Sequence, residues 1–337
     1  MGVTIKTIAE QLGVSYATVS RALNNHPDVN DGTKKKVIAK AKEMGYQPNA
    51  IARGLVNKET KTIGLIIPDI TNPFFPQVAR GVEEAAATAD YNIFLCNTNW
   101  NSDREEHYVN ALIQKQVDGL IMTPSSEELS YLDNLLNSSL ETVFISSFIA
   151  LNTFTSVIVD NVKGTEKAME HLINKGHKNI AFVGAGEERF ANQERLKGYK
   201  NSLKKHNLKI KKENITSVKY AYNRRSGYNL MNQIIDNSSV KNLPTAVICY
   251  NDLLALGVIQ ALRERNFIIP KDMAVIGFDD IPFSSLPEVQ LTTIAQPKYN
   301  MGKIALETLI ETIKKGSDKK IKNKIILPPE LKVRGTT

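Results

Sequence analysis

The sequence predicts an α/β protein, in which a small helical N-terminal domain precedes a core of two doubly wound parallel-sheet subdomains. Three observations carry this. Residues 4–46 show short amphipathic helix patterns; the polar stretch 57–61 follows a proline break at Pro48; and from Thr62 onward apolar runs alternate with helical segments. At 337 residues, with 42% hydrophobic and 23% charged residues, the chain has the length for several domains and the composition of an ordinary globular protein.

In the N-terminal part, Ile5, Ile8, Ala9 and Leu12 form one stripe, Thr4 is placed to cap it, and Gly13 ends it in a tight turn. Ser15 is the expected N-cap of a second helix, Tyr16–Leu23. Its Val19, Ala22 and Leu23 turn inward, while Tyr16, Ala17, Ser20 and Arg21 face out. A third helix is expected from about Thr33 to Met44. It buries Val37, Ile38, Ala41 and Met44 and leaves Lys34, Lys35, Lys36, Lys40 and Lys42 solvated. Pro48 cannot continue that helix and biases Gln47 toward extended backbone. Asn49–Val56 is a short helix candidate of about two turns, too short to be stable alone and further weakened by Gly54.

In the core, strands are expected at 62–67, 92–96, 119–123, 142–146, 156–160, 179–184, 245–250 and 274–279. Near-continuous apolar strands separated by helices indicate parallel sheets covered on both faces. Their number exceeds one small sheet, which predicts two subdomains with a cleft between them. The lysine clusters at 204–212 and 314–324 are expected to be solvated loops and helix ends.

The charge is uneven. Nine Lys/Arg against five Asp/Glu fall in residues 1–60, half of the net +8, which favours a polyanionic partner at that end. Tyr16, Ala17, Ser20 and Arg21 suit a major-groove surface: Arg21 has a guanidinium for a guanine edge, and Ala17 a methyl for thymine. Cys96 and Cys249 lie in apolar runs, as free thiols do in a reducing compartment. The start MGVTIKTIAE has no apolar leader-like run and no window approaches a membrane span, so a cytoplasmic protein is expected.

Enzyme classes find little support. The GAG at 184–186 lacks the third glycine of a dinucleotide loop, and no GxxxxGK[ST] occurs. The histidines at 26, 107, 171, 177 and 206 have no metal-ligand spacing. No catalytic residue, metal or cofactor is expected, and a secreted sugar-binding protein is disfavoured by the attached helical domain.

The segment from Val3 to Leu55 resembles the DNA-binding headpiece of the LacI/GalR family of bacterial repressors. It contains T-I-K-x-I-A, G-V-S-x-x-T-V-S-R, G-Y-x-P-N and A-x-A-R-x-L in order. The likeness continues through IGLIIPDITNPFF (63–75), QVDGLIM (116–122), VDN (159–161), GHKNIAFVG (176–184), NDLLALG (251–257), VIGFDD (275–280) and LTTIAQP (291–297). The resemblance implies a helix-turn-helix headpiece over 1–48, a hinge helix and linker over 49–61, and a periplasmic-binding-protein-like core over 62–337. Within that core, an N-subdomain is expected at about 62–161 and 291–323, and a C-subdomain at about 162–290 and 324–337.

The implied function is sequence-specific repression by a homodimer on a pseudo-palindromic operator. The absence of a leucine-heptad tail before Thr337 also favours a dimer. Implied DNA contacts are Thr4, Ser15, Tyr16, Ala17, Thr18, Ser20, Arg21 and Asn24 in the headpiece, and Asn49, Ala52, Arg53 and Leu55 in the hinge, with Leu55 wedging the minor groove. A hinge helix that orders only on bent DNA would act as the switch.

Ligands of open α/β sheets collect beyond the strand ends. That rule selects Asp69–Phe75, Asp160/Asn161, Gly184–Arg195, Asn251/Asp252 and Asp279/Asp280. The implied effector residues are Asp69, Phe74, Phe75, Asp160, Arg189, Arg195, Tyr222, Asn251 and Asp279, and the implied effector is a sugar or sugar phosphate. TVSRALNNHPDV, NAIARGL, IIPDITN, KQVDGLI and GHKNIAFV are also similar to the catabolite-control branch, whose corepressor is a phosphorylated carrier protein.

Overall fold

The computed structural model describes residues 3–46, 59–125, 131–138, 140–147, 154–186, 189–219, 222–315 and 324–337. Two compact units divide the chain, Met1–Thr60 and Lys61–Thr337. The hinge expected over 49–56 lies outside the described residues.

The first unit contains helices α1 (Ile5–Leu12), α2 (Tyr16–Leu23) and α3 (Asp31–Glu43). Each start is fixed by a side chain that accepts an otherwise unpaired backbone N–H. Thr4 Oγ1 accepts from Thr7, Ser15 Oγ from Thr18 at 3.1 Å and Asn30 Oδ1 from Thr33 at 2.8 Å. Gly13 ends α1 at φ 61°, a left-handed conformation that glycine adopts without penalty. Ile8, Val19, Ala22 and Val37 close a small core.

Two expectations for α3 change. It begins at Asp31, because Asn30 supplies the cap, and Ile38 is 53% exposed. A short three-helix core reaches only the stripe Val37–Ala41. Ile38 lies about 100° round the helix from Val37, outside that stripe. Among the lysines, Lys34 is largely covered, with its side chain 14% exposed.

The second unit contains two six-stranded sheets. The first lobe is built on β1 (Thr62–Ile67), β2 (Asn92–Asn97), β3 (Gly119–Met122), β4 (Glu141–Ile145), β5 (Thr155–Val159) and β11 (Lys324–Leu327), in the order β11-β5-β4-β3-β1-β2, all parallel. The second lobe uses β6 (Ile180–Gly184), β7 (Ile215–Ser217), β8 (Ala246–Cys249), β9 (Ala274–Asp279), β10 (Thr292–Ala295) and β12 (Glu330–Lys332). Their order is β12-β10-β9-β8-β6-β7, with only β12 antiparallel. Helices α4 (Phe74–Thr88), α5 (Ser102–Gln114), α6 (Leu132–Asn137), α7 (Asn161–Asn174), α8 (Phe190–Lys205), α9 (Arg224–Asn237), α10 (Asp252–Glu264) and α11 (Lys298–Lys315) accompany them.

All eight expected strands are present; seven lie in apolar runs that a two-sided parallel sheet buries, whereas β2, at the sheet edge, leaves Phe94 and Leu95 exposed. The four others, β7, β10, β11 and β12, are three or four residues long, and β7, β11 and β12 are edge strands. These strands move the expected subdomain boundaries. β10 pairs with β9 in the second sheet and β11 with β5 in the first, so the chain crosses between lobes near 296 and 328 rather than at 291 and 324. Backbone pairing, not hydropathy, decides which lobe a four-residue strand joins.

Apolar clusters fill both faces of both sheets; in the first lobe, Ile63, Leu65, Val78 and Leu306 pack on one face and Ile66, Leu120 and Phe144 on the other. In the second lobe α9 and α10 approach so closely that a Cβ on Gly257 would lie 1.9 Å from the Arg224 carbonyl oxygen. Glycine there permits backbone contact that any side chain blocks.

Candidate functional site

In the first unit the outward face of α2 matches the sequence-based expectation. Tyr16 is 65% exposed, Arg21 is exposed, and Ala17 and Ser20 are half-buried. Ser15 and Thr18 are tied to one another, with 2.9 Å between their hydroxyl oxygens, and Thr4 is tied likewise to Thr7. Thr4 and Ser15 therefore shape the helix starts, and Asn24 is the exposed residue closing α2. Asn49, Ala52, Arg53 and Leu55 lie outside the described residues.

In the second unit a cleft of about 570 Å³ opens between the two lobes, a volume suited to a small molecule. Its walls are the loops that follow strand ends, since parallel strands direct all those ends to one side. Asp69, Phe74, Phe75, Arg189, Arg195, Tyr222, Asn251 and Asp279 all line it. Asp160 is not among the lining residues. Its carboxylate caps α7 instead, accepting from Lys163 N at 2.9 Å, because the strand–helix junction there leaves a helix start to be satisfied.

Arg189 bridges the lobes. Its Nε donates to the Tyr222 hydroxyl at 2.6 Å, and its Nη2 donates to the Ser125 carbonyl of the first lobe at 2.8 Å. The guanidinium also lies over the Trp100 ring at 4.1 Å and the Tyr222 ring at 4.7 Å. Phe74, Phe75, Trp100, Tyr222 and Tyr250 follow in a chain of ring contacts with centroids 5.1 to 6.1 Å apart. Trp100 and Tyr250 were not singled out from the sequence. Trp100 follows β2 by three residues and satisfies the strand-end rule, which is the signal that finds it.

Arg195 is buried on the floor. Its Nε donates to Asn161 Oδ1 at 2.9 Å, Nη1 donates to the Tyr250 carbonyl, and the guanidinium lies 3.6 Å from the Phe278 ring centroid. Burial lowers its pKa, partly offset by Tyr250, Asp279 and Asp252. Asp279 accepts from Gln296 Nε2 at 2.6 Å and sits at φ 123°. Burial pushes its carboxyl up to about 7, against the pull of Arg195 and Lys298. The Lys298 ammonium donates to the carbonyls of Asp279 and Asp280, holding this turn. Behind it Asp252, wholly buried, accepts from Ile281 N at 2.8 Å, Ser284 Oγ at 2.7 Å and Thr293 Oγ1 at 2.5 Å.

Among the described residues no cluster of His, Cys, Asp or Glu could hold a metal ion, and no helix is long and apolar enough to cross a membrane. Residues 4–49 match the family model described as bacterial regulatory proteins, lacI family, and residues 169–337 match a periplasmic binding protein-like domain. Catabolite control protein A of Priestia megaterium is 38% identical over 316 residues, covering 94% of both chains. The HTH-type transcriptional repressor PurR of Photobacterium profundum is 35% identical, covering 98% of this chain and 97% of the relative. The lac repressor dimer bound to operator and the anti-inducer ONPF superposes with a TM-score of 0.87 at 25% identity, covering 100% of this chain and 99% of that one. With a helix-turn-helix headpiece, a two-lobed core and full-length relatives that are regulators rather than enzymes, the chain belongs to the lacI family of bacterial regulatory proteins and is a DNA-binding transcriptional repressor.

Proposed function

We propose that this repressor binds a pseudo-palindromic operator as a homodimer and is regulated by a small metabolite, a sugar or sugar phosphate, held between the lobes of its core. In this reading residues 1–48 read DNA, with Tyr16, Ala17, Ser20 and Arg21 toward the bases and Thr4, Ser15, Thr18 and Asn24 at the phosphate edge. Residues 49–61 form the hinge, contributing Asn49, Ala52, Arg53 and the Leu55 wedge. Residues 62–337 sense the ligand and dimerise.

One observation carries the sensing half: eight of the nine expected effector residues converge on a single cleft from two lobes. A ligand touching both lobes biases their angle, and a change of angle is what a core can transmit to paired hinges. Dimerisation is supported by apolar side chains that single lobes leave open: Phe94 and Leu95 on edge strand β2, and Phe283 and Leu286 in the second lobe, are 44 to 47% exposed.

Likeness to catabolite control protein A favours a second reading, in which a phosphorylated carrier protein is the corepressor. One experiment separates the two. Bound duplexes are selected from a random pool with no addition, with a sugar and sugar-phosphate panel, and with the phosphorylated carrier. A palindromic consensus gained or lost with one small molecule supports the first reading, and dependence on the carrier alone supports the second. Recovery of no consensus sinks both.

A further inference from the structure

Behind the cleft wall lies a buried carboxylate that neither DNA reading nor ligand contact uses. Glu105, on the first turn of α5, is 1% exposed. Its Oε2 accepts from the Ser125 amide at 2.6 Å and its Oε1 from the Tyr131 hydroxyl, and among the described residues it forms no ion pair. A carboxylate shut away from water is costly unless charge and hydrogen bonds compensate it. Burial raises its pKa, and the hydrogen bonds from Ser125 and Tyr131 oppose that rise; the cation that helps them is Arg189, which belongs to the other lobe. The first-lobe partners are neutral, and the compensating charge arrives only with the second lobe.

The same residues build the seat on which Arg189 rests. Arg189 lands at two points of the first lobe: the Ser125 carbonyl, three residues beyond β3, and the Trp100 ring, three residues beyond β2. Glu105 fixes Ser125 through its amide. The Ser125 hydroxyl in turn lies 2.9 Å from that of Thr98, two residues before Trp100, and both side chains are buried. One carboxylate therefore holds the loops after β2 and β3 in the relative position that lets a single guanidinium meet both. Glu105, Thr98 and Ser125 are not among the residues lining the cleft, so their role is to place Arg189 rather than to touch a ligand.

Resting on the reading that a ligand biases the angle between the lobes, we propose that Glu105 is a positioning residue of the switch: by tying Ser125, and through it Thr98, it seats Arg189 and holds the lobes closed. Charge matters here as well as shape. In a glutamine an NH2 group replaces one oxygen, so one of the two donors, the Ser125 amide or the Tyr131 hydroxyl, faces another donor. The attraction between the buried anion and the incoming guanidinium is lost at the same time.

Trp100, the one tryptophan of the chain, reports on this seat directly. The Arg189 guanidinium covers one face of its ring, and when that cover leaves, a neutral quencher such as acrylamide reaches the indole. Tryptophan quenching is measured on the full-length protein, with neither ligand nor DNA, and on Glu105→Gln, Thr98→Val, Arg189→Ala and the double variant Glu105→Gln/Arg189→Ala. The expected result is that Glu105→Gln raises the quenching constant roughly two-fold, to the level of Arg189→Ala, and that the double variant adds nothing, because both substitutions act on one seat. Thr98→Val keeps the charge and cuts only the cross-tie, so its rise should be smaller. Unchanged quenching in Glu105→Gln overturns the proposal; should that variant not fold, unchanged quenching in Thr98→Val does so. A double variant in which the two effects add overturns it as well, since that is the mark of a general loosening. Failure here leaves a metabolite-sensing cleft in place, whereas a metabolite panel in which nothing binds sinks the cleft reading and leaves the quenching result intact.

Discussion

The guanidinium of Arg189, from the second lobe, stands 4.1 Å above the Trp100 ring of the first. With its hydrogen bond to the Ser125 carbonyl, this makes one side chain a strap across the cleft mouth. A cation over an indole contributes about 0.5–2 kcal/mol, and a charged hydrogen bond about 1.5–3 kcal/mol. Arg189→Ala should therefore loosen the lobes without unfolding either. Hydrogen exchange at residues 99–101 and 222–223 should rise, with urea stability falling by about 1–2 kcal/mol. Unchanged exchange in both segments would show that the strap carries no closure energy.

Asp279 predicts a pH dependence. Its folded pKa is about 7, above the ordinary carboxylate value, so between about pH 4 and 7 the native state holds a proton that the unfolded state has released. Stability falls as pH rises through that window, by an amount of order a few kcal/mol, and the penalty is complete above it. Asp279→Asn cannot titrate. The difference between its urea stability and that of the parent should grow from pH 5 to 8, and a difference flat with pH refutes the shift.

Asp252 should be among the costliest positions to change. Its carboxylate accepts from Ile281, Ser284 and Thr293, gathering the turn that carries Asp279. Asp252→Ala strands these donors in a dry interior, with a loss of roughly 3–5 kcal/mol in urea unfolding. A loss below about 1 kcal/mol would mean the network is not formed.

The headpiece separates folding from reading. Ser15→Ala removes an N-cap and should lower headpiece stability by about 1 kcal/mol. Arg21→Ala, at an exposed position, should leave melting unchanged while weakening the selected operator by roughly 1–3 kcal/mol and binding to random duplex far less. Fluorescence anisotropy at fixed salt distinguishes the two. Equal weakening on both DNAs would reassign Arg21 to a phosphate contact.

Legibility in the sequence followed the range of the forces involved. The caps Thr4 and Ser15, the turn at Gly13 and the eight long apolar strands are local or single-element effects, so periodicity and residue type reveal them. Ile38 was misplaced because its exposure depends on how far a neighbouring helix reaches, which the 3.6-residue repeat does not encode. Asp160 was misplaced because two uses of a carboxylate after a strand, capping and ligand contact, look alike in one dimension.

The amino-acid order alone determined the two-part architecture, the outward face of α2 and most of the cleft wall, because these follow from hydrophobic pattern, capping chemistry and position after a strand. Only the folded chain decided that β10 and β11 exchange lobes and that Trp100 meets Arg189. It also left the buried Ser146 hydroxyl without a hydrogen-bond partner among the described residues. Those outcomes depend on which distant backbone or side chain arrives first at a given hydrogen bond, and such competition is settled by packing in three dimensions.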